Sequence, residues 1–243
     1  MRMVAVVLAG GSGLRFGADV PKQLLRLGGR TLIEHCVAAF NEAPGVDEVL
    51  VVMPATHIGE AAKLLDGGGF SKLAGIIEGG TTRPGSTRQA IAAIGARLRA
   101  MRVGDCGVLL HDAARPLVGQ RIIADCVAAL SEADAVGVAV PTSDTIVVVA
   151  DGVMTRMPRR DSLLRCQTPQ GFRWSVLARA HDLALADPDF TPTDDCGVVL
   201  RYLPDVPVRV VAGSEHNLKI TYPRDLAIAE TLLQAADRGG VSS

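Results

Sequence analysis

Three features of this sequence predict an α/β fold built on a mainly parallel sheet. Apolar, β-type runs alternate with segments of helical periodicity along most of the 243 residues. The first such run, Val4–Leu8, is β-branched and continuously apolar, the mark of a strand buried on both faces. The glycine-rich and polar turns fall after strands one, three and four, where ligands sit in such sheets.

The elements follow in order. After Val4–Leu8, the stretch Thr31–Asn41 places Leu32, Ile33, Cys36, Val37 and Phe40 at helical spacing, and Glu34 three residues after Thr31 makes a capping box. VDEVLVVMP is a second strand, HIGEAAKLL a short helix and AGIIEGG a third strand. STRQAIAAIGARLRA is a helix that Ser86 or Thr87 would cap, and CGVLLHDAARP is a fourth strand ending in a polar turn. QRIIADCVAALSEA is a helix and DAVGVAVP a fifth strand. The rhythm then breaks between Pro141 and Phe172. TIVVVADGVMTRMP reads as two β segments around Asp151-Gly152, a hairpin signal, followed by the cationic stretch RMPRRDSLLR. SVLARAHDLALA is a helix, TPTDDCGVVLRYL a helix with Thr193 or Asp194 near its cap, and VPVRVVAGSEHNLKI a strand that carries Lys219 just inside it. RDLAIAETLLQAA is the last helix. The whole is a Rossmann-like, doubly wound arrangement: one domain over 1–243, helices on both faces, and residues 142–165 as a projecting β-arm. Such an arm buries little of itself, so it is expected to pack on a second subunit.

Composition narrows the function. A formal net charge of −1 excludes a global basic field for DNA or an anionic membrane. Five Phe, two Tyr and one Trp are too few for a stacking platform on single-stranded nucleic acid. The five cysteines are scattered, with no CxxC pair, which reads as reduced thiols in a cytoplasmic protein. No apolar run approaches a membrane span, and MRMVAVVLAGG lacks the cleavage pattern of a signal peptide.

The loops carry the chemistry. In VVLAGGSGLRFGADVPKQ, Gly10, Gly11 and Gly13 bare the backbone so that successive N–H groups can form an anion nest. Arg15 and Lys22 add full charges, and Pro21 stiffens the approach to the lysine. A polyphosphate meets that need, although a flexible glycine turn with solvated cations is the bland alternative. The loop is not a P-loop, because no Gly-Lys-Ser/Thr follows. Phe16 stands where a dinucleotide fingerprint needs glycine, and strand two ends in VVMPATH without the required acid, which argues against an NAD(P)-binding oxidoreductase. EGGTTRPGSTRQ forms a second glycine turn, in which Arg83 serves either structure or ligand. VLLHDAARP puts Asp112 at a buried strand end, where it suits a magnesium ion or a ligand hydroxyl, or simply caps its loop. His111 reads as a hydrogen-bonded structural group.

Taken together, LAGGSGLRFGADVPKQ, HDAARP, QTPQGF, TDD and NLKITYPRDLAIAE resemble the polyol-phosphate cytidylyltransferases over nearly the whole chain. That family includes enzymes for 2-C-methyl-D-erythritol 4-phosphate, in isoprenoid synthesis, and for D-ribitol 5-phosphate, in teichoic acid and capsule synthesis. The resemblance implies that CTP and a sugar-alcohol phosphate give a CDP-alcohol and pyrophosphate, with magnesium, in a homodimer with an interlocking arm. It implies that Arg15 and Lys22 stabilise the transition state. Arg160 and Lys219 would position the acceptor phosphate, with Arg160 reaching across the dimer. Asp112, Arg115 and Thr145 would line the polyol site. The backbone of Leu8, Ala9, Gly10 and Gly11, with Gly80, Thr81 and Ser86, would hold the nucleotide. LAGG, EGGT, QRII and DTIV look like the ribitol branch, whereas HDAARP is closer to the isoprenoid one, so the sequence leans to ribitol 5-phosphate. A non-catalytic nucleotide-binding protein gives no reason for Lys22, Arg160 and Lys219 together.

Overall fold

The computed structural model describes residues 1–10, 21–187, 189–190 and 192–239. Seven strands form the central sheet: β1 (Met3–Leu8), β4 (Glu48–Met53), β5 (Leu73–Glu78), β6 (Gly107–Asp112), β7 (Ala135–Pro141), β10 (Leu164–Arg173) and β11 (Val208–Ala212). Two small hairpins stand apart: β2 (Arg26–Leu27) with β3 (Arg30–Thr31), and β8 (Val148–Ala150) with β9 (Val153–Arg156). The helices are α1 (Leu32–Glu42), α2 (Ile58–Asp66), α3 (Arg83–Met101), α4 (Gln120–Leu130), α5 (Trp174–Leu185), α6 (Asp195–Tyr202) and α7 (Pro223–Gly239).

The strand order is β11-β7-β10-β6-β1-β4-β5. Every neighbouring pair is parallel except those of β10, which runs antiparallel to both β6 and β7. From β1 the chain winds outward through β4 and β5, then returns to place β6 on the other side of β1. The winding direction thus reverses between β1 and β6, and a crevice opens at their carboxyl ends, where Leu8 lies opposite Asp112.

Side-chain alternation explains why helices cover both faces. Ala5 and Val7 of β1 join one core with Phe40 of α1, Leu65 of α2 and Ile122 of α4. Val4 and Val6 join the opposite core with Ile94 of α3, Leu177 of α5 and Val199 of α6. A smaller cluster of Leu27, Leu32, Ile220 and Ala229 ties α7 to the β2–β3 hairpin. The capping box of α1 is present, with Thr31 and Glu34 exchanging hydrogen bonds.

Three expectations are corrected. Helix α3 begins at Arg83 and is capped by Thr82, whose hydroxyl accepts from Gly85 N at 3.1 Å; Ser86 and Thr87 lie inside it. Pro84, read as part of a turn, sits in the first helical turn, where its missing N–H costs nothing. Of the two residues expected near the cap of α6, Asp194 is the one that caps it, its carboxylate accepting from Gly197 N at 2.8 Å. Lys219 lies in the loop after β11, not in a strand. The long strand β10 was not foreseen as a strand, because QTPQGF has no apolar period. It nevertheless lies mid-sheet, with Gln167, Thr168 and Gln170 buried. Gly171 permits this: a Cβ there would come within 2.6 Å of Val136 Cγ2. The Asp151-Gly152 hairpin is as expected, with both residues at positive φ, 51° and 78°.

Candidate active site

Several of the residues expected at the site gather near the carboxyl ends of β1 and β6, where two sub-regions meet. The first is a corner of glycines around the start of α3. A Cβ on Gly10 would fall 2.9 Å from Ser86 Oγ, and one on Gly80 would fall 2.6 Å from the Gly85 backbone. The Ser86 hydroxyl is buried and donates to the Gly80 carbonyl at 3.4 Å. Gly10, Gly80 and Ser86 therefore bring the loop after β1 and the loop after β5 into contact, with Thr81 exposed beside them. Leu8 and Ala9 are held by the sheet: the Leu8 carbonyl accepts from Ala113 N at 3.0 Å, and Ala9 N donates to Val52 O at 2.8 Å. The Ala9 amide is thus taken up by the sheet, whereas the Leu8 carbonyl keeps a second lone pair. Gly11, Gly13 and Arg15 lie outside the described residues.

The second sub-region is a cleft of about 190 Å³ whose walls include Arg83, Asp112, Arg115 and Lys219. Asp112 organises it. Lys219 Nζ donates to Asp112 Oδ2 at 2.7 Å and Arg83 Nε to Oδ1 at 3.2 Å. Burial opposes ionisation of Asp112, but Arg83 and Lys219 prevail and hold its carboxyl well below the usual range. Arg115 is turned inward: its Nη1 donates to Asn217 O at 2.7 Å and its Nη2 to Cys166 O at 3.3 Å. Asn217, fully buried, donates through Nδ2 to Thr168 O at 2.8 Å. These bonds bend the loop after β11 back over β6 and deliver Lys219, although β11 itself lies at the far edge of the sheet. Lys22 Nζ donates to Ile220 O at 2.7 Å, which sets it next to the same loop.

Thr145 and Arg160 stand elsewhere. Arg160 Nη2 donates to Thr145 Oγ1 at 3.0 Å, and both are exposed on the arm, outside the residues lining the cleft. The structure thus brings Arg83, Asp112, Arg115 and Lys219 together, and Lys22 beside them, but leaves Thr145 and Arg160 apart.

Several wall residues were not named for the site from the sequence: Gln167, Thr168 and Gln170 of β10, Cys166 before them, and Thr193 and Asp194 at the start of α6, the last two read only as cap candidates. The signal for the first four was the polar run CQTPQ, followed by Gly171 and the apolar Phe172. His111 is structural, as expected. Its Nε2 lies 2.9 Å from the Arg115 carbonyl, which can only accept, so the proton sits on Nε2. Nδ1 then accepts from the Thr168 hydroxyl at 3.0 Å, while Thr168 Oγ1 accepts from Asp112 N at 3.1 Å. Burial lowers the His111 pKa to about 4 and keeps the ring neutral.

Among the described residues, no group of three or more His, Cys, Asp or Glu side chains could hold a metal ion. Both Asp112 oxygens face cations, so Asp112 does not fit the role of ligand to a resident magnesium ion. No described helix is long and apolar enough to cross a membrane. Burial keeps the Cys106 and Cys126 thiols protonated, with pKa values pushed up to about 12.

A doubly wound sheet with glycine-lined loops and fixed cations at its switch point defines a nucleotide-handling transferase of the α/β class. The family model for 2-C-methyl-D-erythritol 4-phosphate cytidylyltransferase matches residues 3–235. The chain belongs to that family and is a cytidylyltransferase. The enzyme of that name from Thermobifida fusca is 53% identical over 96% of this chain and 94% of its own length. A Bifidobacterium longum relative of the same name is 41% identical over 96% of this chain and 80% of its own length. The crystal structure of 4-diphosphocytidyl-2C-methyl-D-erythritol synthase from Anaerococcus prevotii superposes with a TM-score of 0.82 at 27% identity, covering 96% of both chains. A Haemophilus influenzae bifunctional ribulose 5-phosphate reductase/CDP-ribitol pyrophosphorylase is 37% identical over 96% of this chain but 48% of its own length. The lean to the ribitol branch is therefore not supported, and the methylerythritol alternative is the better backed.

Proposed function

We propose that the protein joins CMP from CTP to 2-C-methyl-D-erythritol 4-phosphate and releases pyrophosphate. The 53% identity to the Thermobifida fusca enzyme across nearly the full length of both chains carries this reading. The acceptor phosphate, ionised at pH 7, attacks the α-phosphorus in line, so no general base is needed. The obstacle is the approach of two anions. The positive ends of this site, Lys22, Lys219 and Arg115, offset that repulsion, with Arg15 contributing from the glycine loop. Asp112, kept ionised by Arg83 and Lys219, accepts from a polyol hydroxyl. Magnesium enters with the triphosphate as part of the substrate, held by phosphate oxygens and water.

The arm completes the assembly. Val153, Met154 and Met157 are 65%, 70% and 63% exposed, more apolar surface than a free hairpin keeps in water. In this reading the arm packs on a second copy in the cytoplasm, and Arg160 and Thr145 serve the partner's acceptor site.

Pyrophosphate release from MgCTP with each acceptor tests the reading. Turnover with the methylerythritol phosphate, and a CDP-methylerythritol product by ³¹P NMR, is expected. Faster turnover with D-ribitol 5-phosphate would overturn the acceptor, and no release with either would overturn the reaction. EDTA should abolish turnover, and excess magnesium should restore it.

A further inference from the structure

Arg83 is gripped by carboxylates from two distant parts of the chain. Its Nη1 donates to Asp195 Oδ2 at 2.7 Å, and its Nε to Asp112 Oδ1 at 3.2 Å. Asp195 is 1% exposed, and its other oxygen lies 3.0 Å from Nε2 of His181, which is 3% exposed. One line of groups thus runs from His181 in α5 to Asp195 in α6, Arg83 in α3, Asp112 in β6 and Lys219 in the loop beyond β11. His181 and Asp195 do not border the cleft. A buried carboxylate is expensive to desolvate, and well-packed apolar residues of the same volume often serve a fold as well or better. Arg83 is also the first residue of α3, where the helix dipole disfavours a positive charge. Two carboxylates hold it there against that tendency.

We propose that Asp195 and His181 are positioning residues, which hold Arg83 on Asp112 and thereby set how much of the Lys219 charge remains for an incoming phosphate. The inference rests on the reading of this cleft as the acceptor pocket. Asp112 shares its charge between Arg83 and Lys219. When Arg83 swings away, Asp112 draws wholly on Lys219, and the ammonium is withdrawn from the acceptor. Because Arg83 also opens α3, just beyond the Gly80 corner, the same clamp ties the nucleotide-side loop to the acceptor side.

Steady-state kinetics of Asp195→Asn, His181→Phe and His181→Gln, with CTP and the polyol phosphate varied separately, test this. Asp195→Asn and His181→Phe should raise KM for the polyol phosphate roughly 10- to 100-fold, the range seen when an outer-shell partner is lost at metal sites. KM for CTP should change much less. His181→Gln keeps an N–H for Asp195 and should return KM toward the wild-type value. Arg83→Gln combined with Asp195→Asn should be no worse than Arg83→Gln alone. A purely structural role lowers Tm and leaves the acceptor KM unchanged, and that result overturns the proposal. If Asp195→Asn does not fold, the His181→Phe and His181→Gln pair decides. The Arg83 Nε–H signal in ¹⁵N NMR gives a readout independent of substrate. Its loss in Asp195→Asn or His181→Phe supports the clamp, and its persistence unchanged in both sinks it. A wild-type protein inactive with every polyol phosphate would sink the functional reading instead, and the NMR comparison would still decide this one.

Discussion

The cleft at the end of β6 and the β8–β9 hairpin with the segment that follows it treat their own side chains in opposite ways. At the cleft, Asp112 and Arg83 are paired with each other, and Arg83 in turn with the buried Asp195 and His181 behind it, inside a single chain. On the arm, every residue of β8 and β9 is exposed, and the Arg160–Thr145 bond lies open to solvent. One region is finished by the fold that contains it; the other presents charge and apolar surface that stay open among the described residues. The lesson is that charge pre-organisation requires burial, whereas recognition of a second molecule requires that burial be left incomplete.

Four outcomes would break or sharpen this contrast. The largest belongs to the cleft. Asp195→Ala leaves Arg83 and His181 without their shared buried partner and should cost about 3–5 kcal/mol of stability, read by urea unfolding. A loss below about 1 kcal/mol, the level of an exposed pair, would erase the distinction. Next, Lys22→Ala should lower kcat about 10²- to 10³-fold, as the loss of a preorganised charge donor does, with Tm little changed. Near-normal turnover would remove Lys22 from the reaction.

The third outcome concerns pH. The His111 pKa is depressed from 6.5 to about 4, so between those values the unfolded chain takes up a proton that the native one refuses. Stability at this group is therefore intact above pH 6.5 and falls by about 3 kcal/mol as pH drops to 4. Asp112, with its carboxyl also depressed, adds a further loss only on acidification below about pH 4. His111→Gln should flatten the upper part of that slope; an unchanged slope would show that the buried ring is not its source. The smallest effect belongs to the arm. Val153→Asp should shift unfolding by less than about 0.5 kcal/mol per folded chain, since it touches no core. If the arm packs on a second copy as proposed, it should nevertheless lower the sedimentation coefficient by removing that contact. A large loss of stability with no change in mass would make the arm part of the fold instead.

Most of the architecture was legible from residue patterns. The Val4–Leu8 run, the Thr31–Glu34 capping box and the Asp151-Gly152 turn are local signals, set by side-chain shape, a hydroxyl and positive φ within a few residues. What escaped was non-local. Strand β10 hides among polar residues because Gln170 finds partners in Asp194, Asp195 and Cys196 at the start of α6, some two dozen positions away in sequence but packed against the strand. Arg83, Asp112 and Lys219 could be named separately, but not their mutual pairing.

The amino-acid order by itself determined the alternation of elements, the two-faced core and the kinds of charge at the strand ends, because periodicity and capping act over one or two turns of chain. Only the tertiary structure decided that Lys219 reaches Asp112, that Arg83 joins two carboxylates, and that Thr145 and Arg160 remain outside. Those contacts span up to 112 positions, as between Arg83 and Asp195. The free energy of a buried ion pair depends on what surrounds it in space, and neighbours along the chain do not record that.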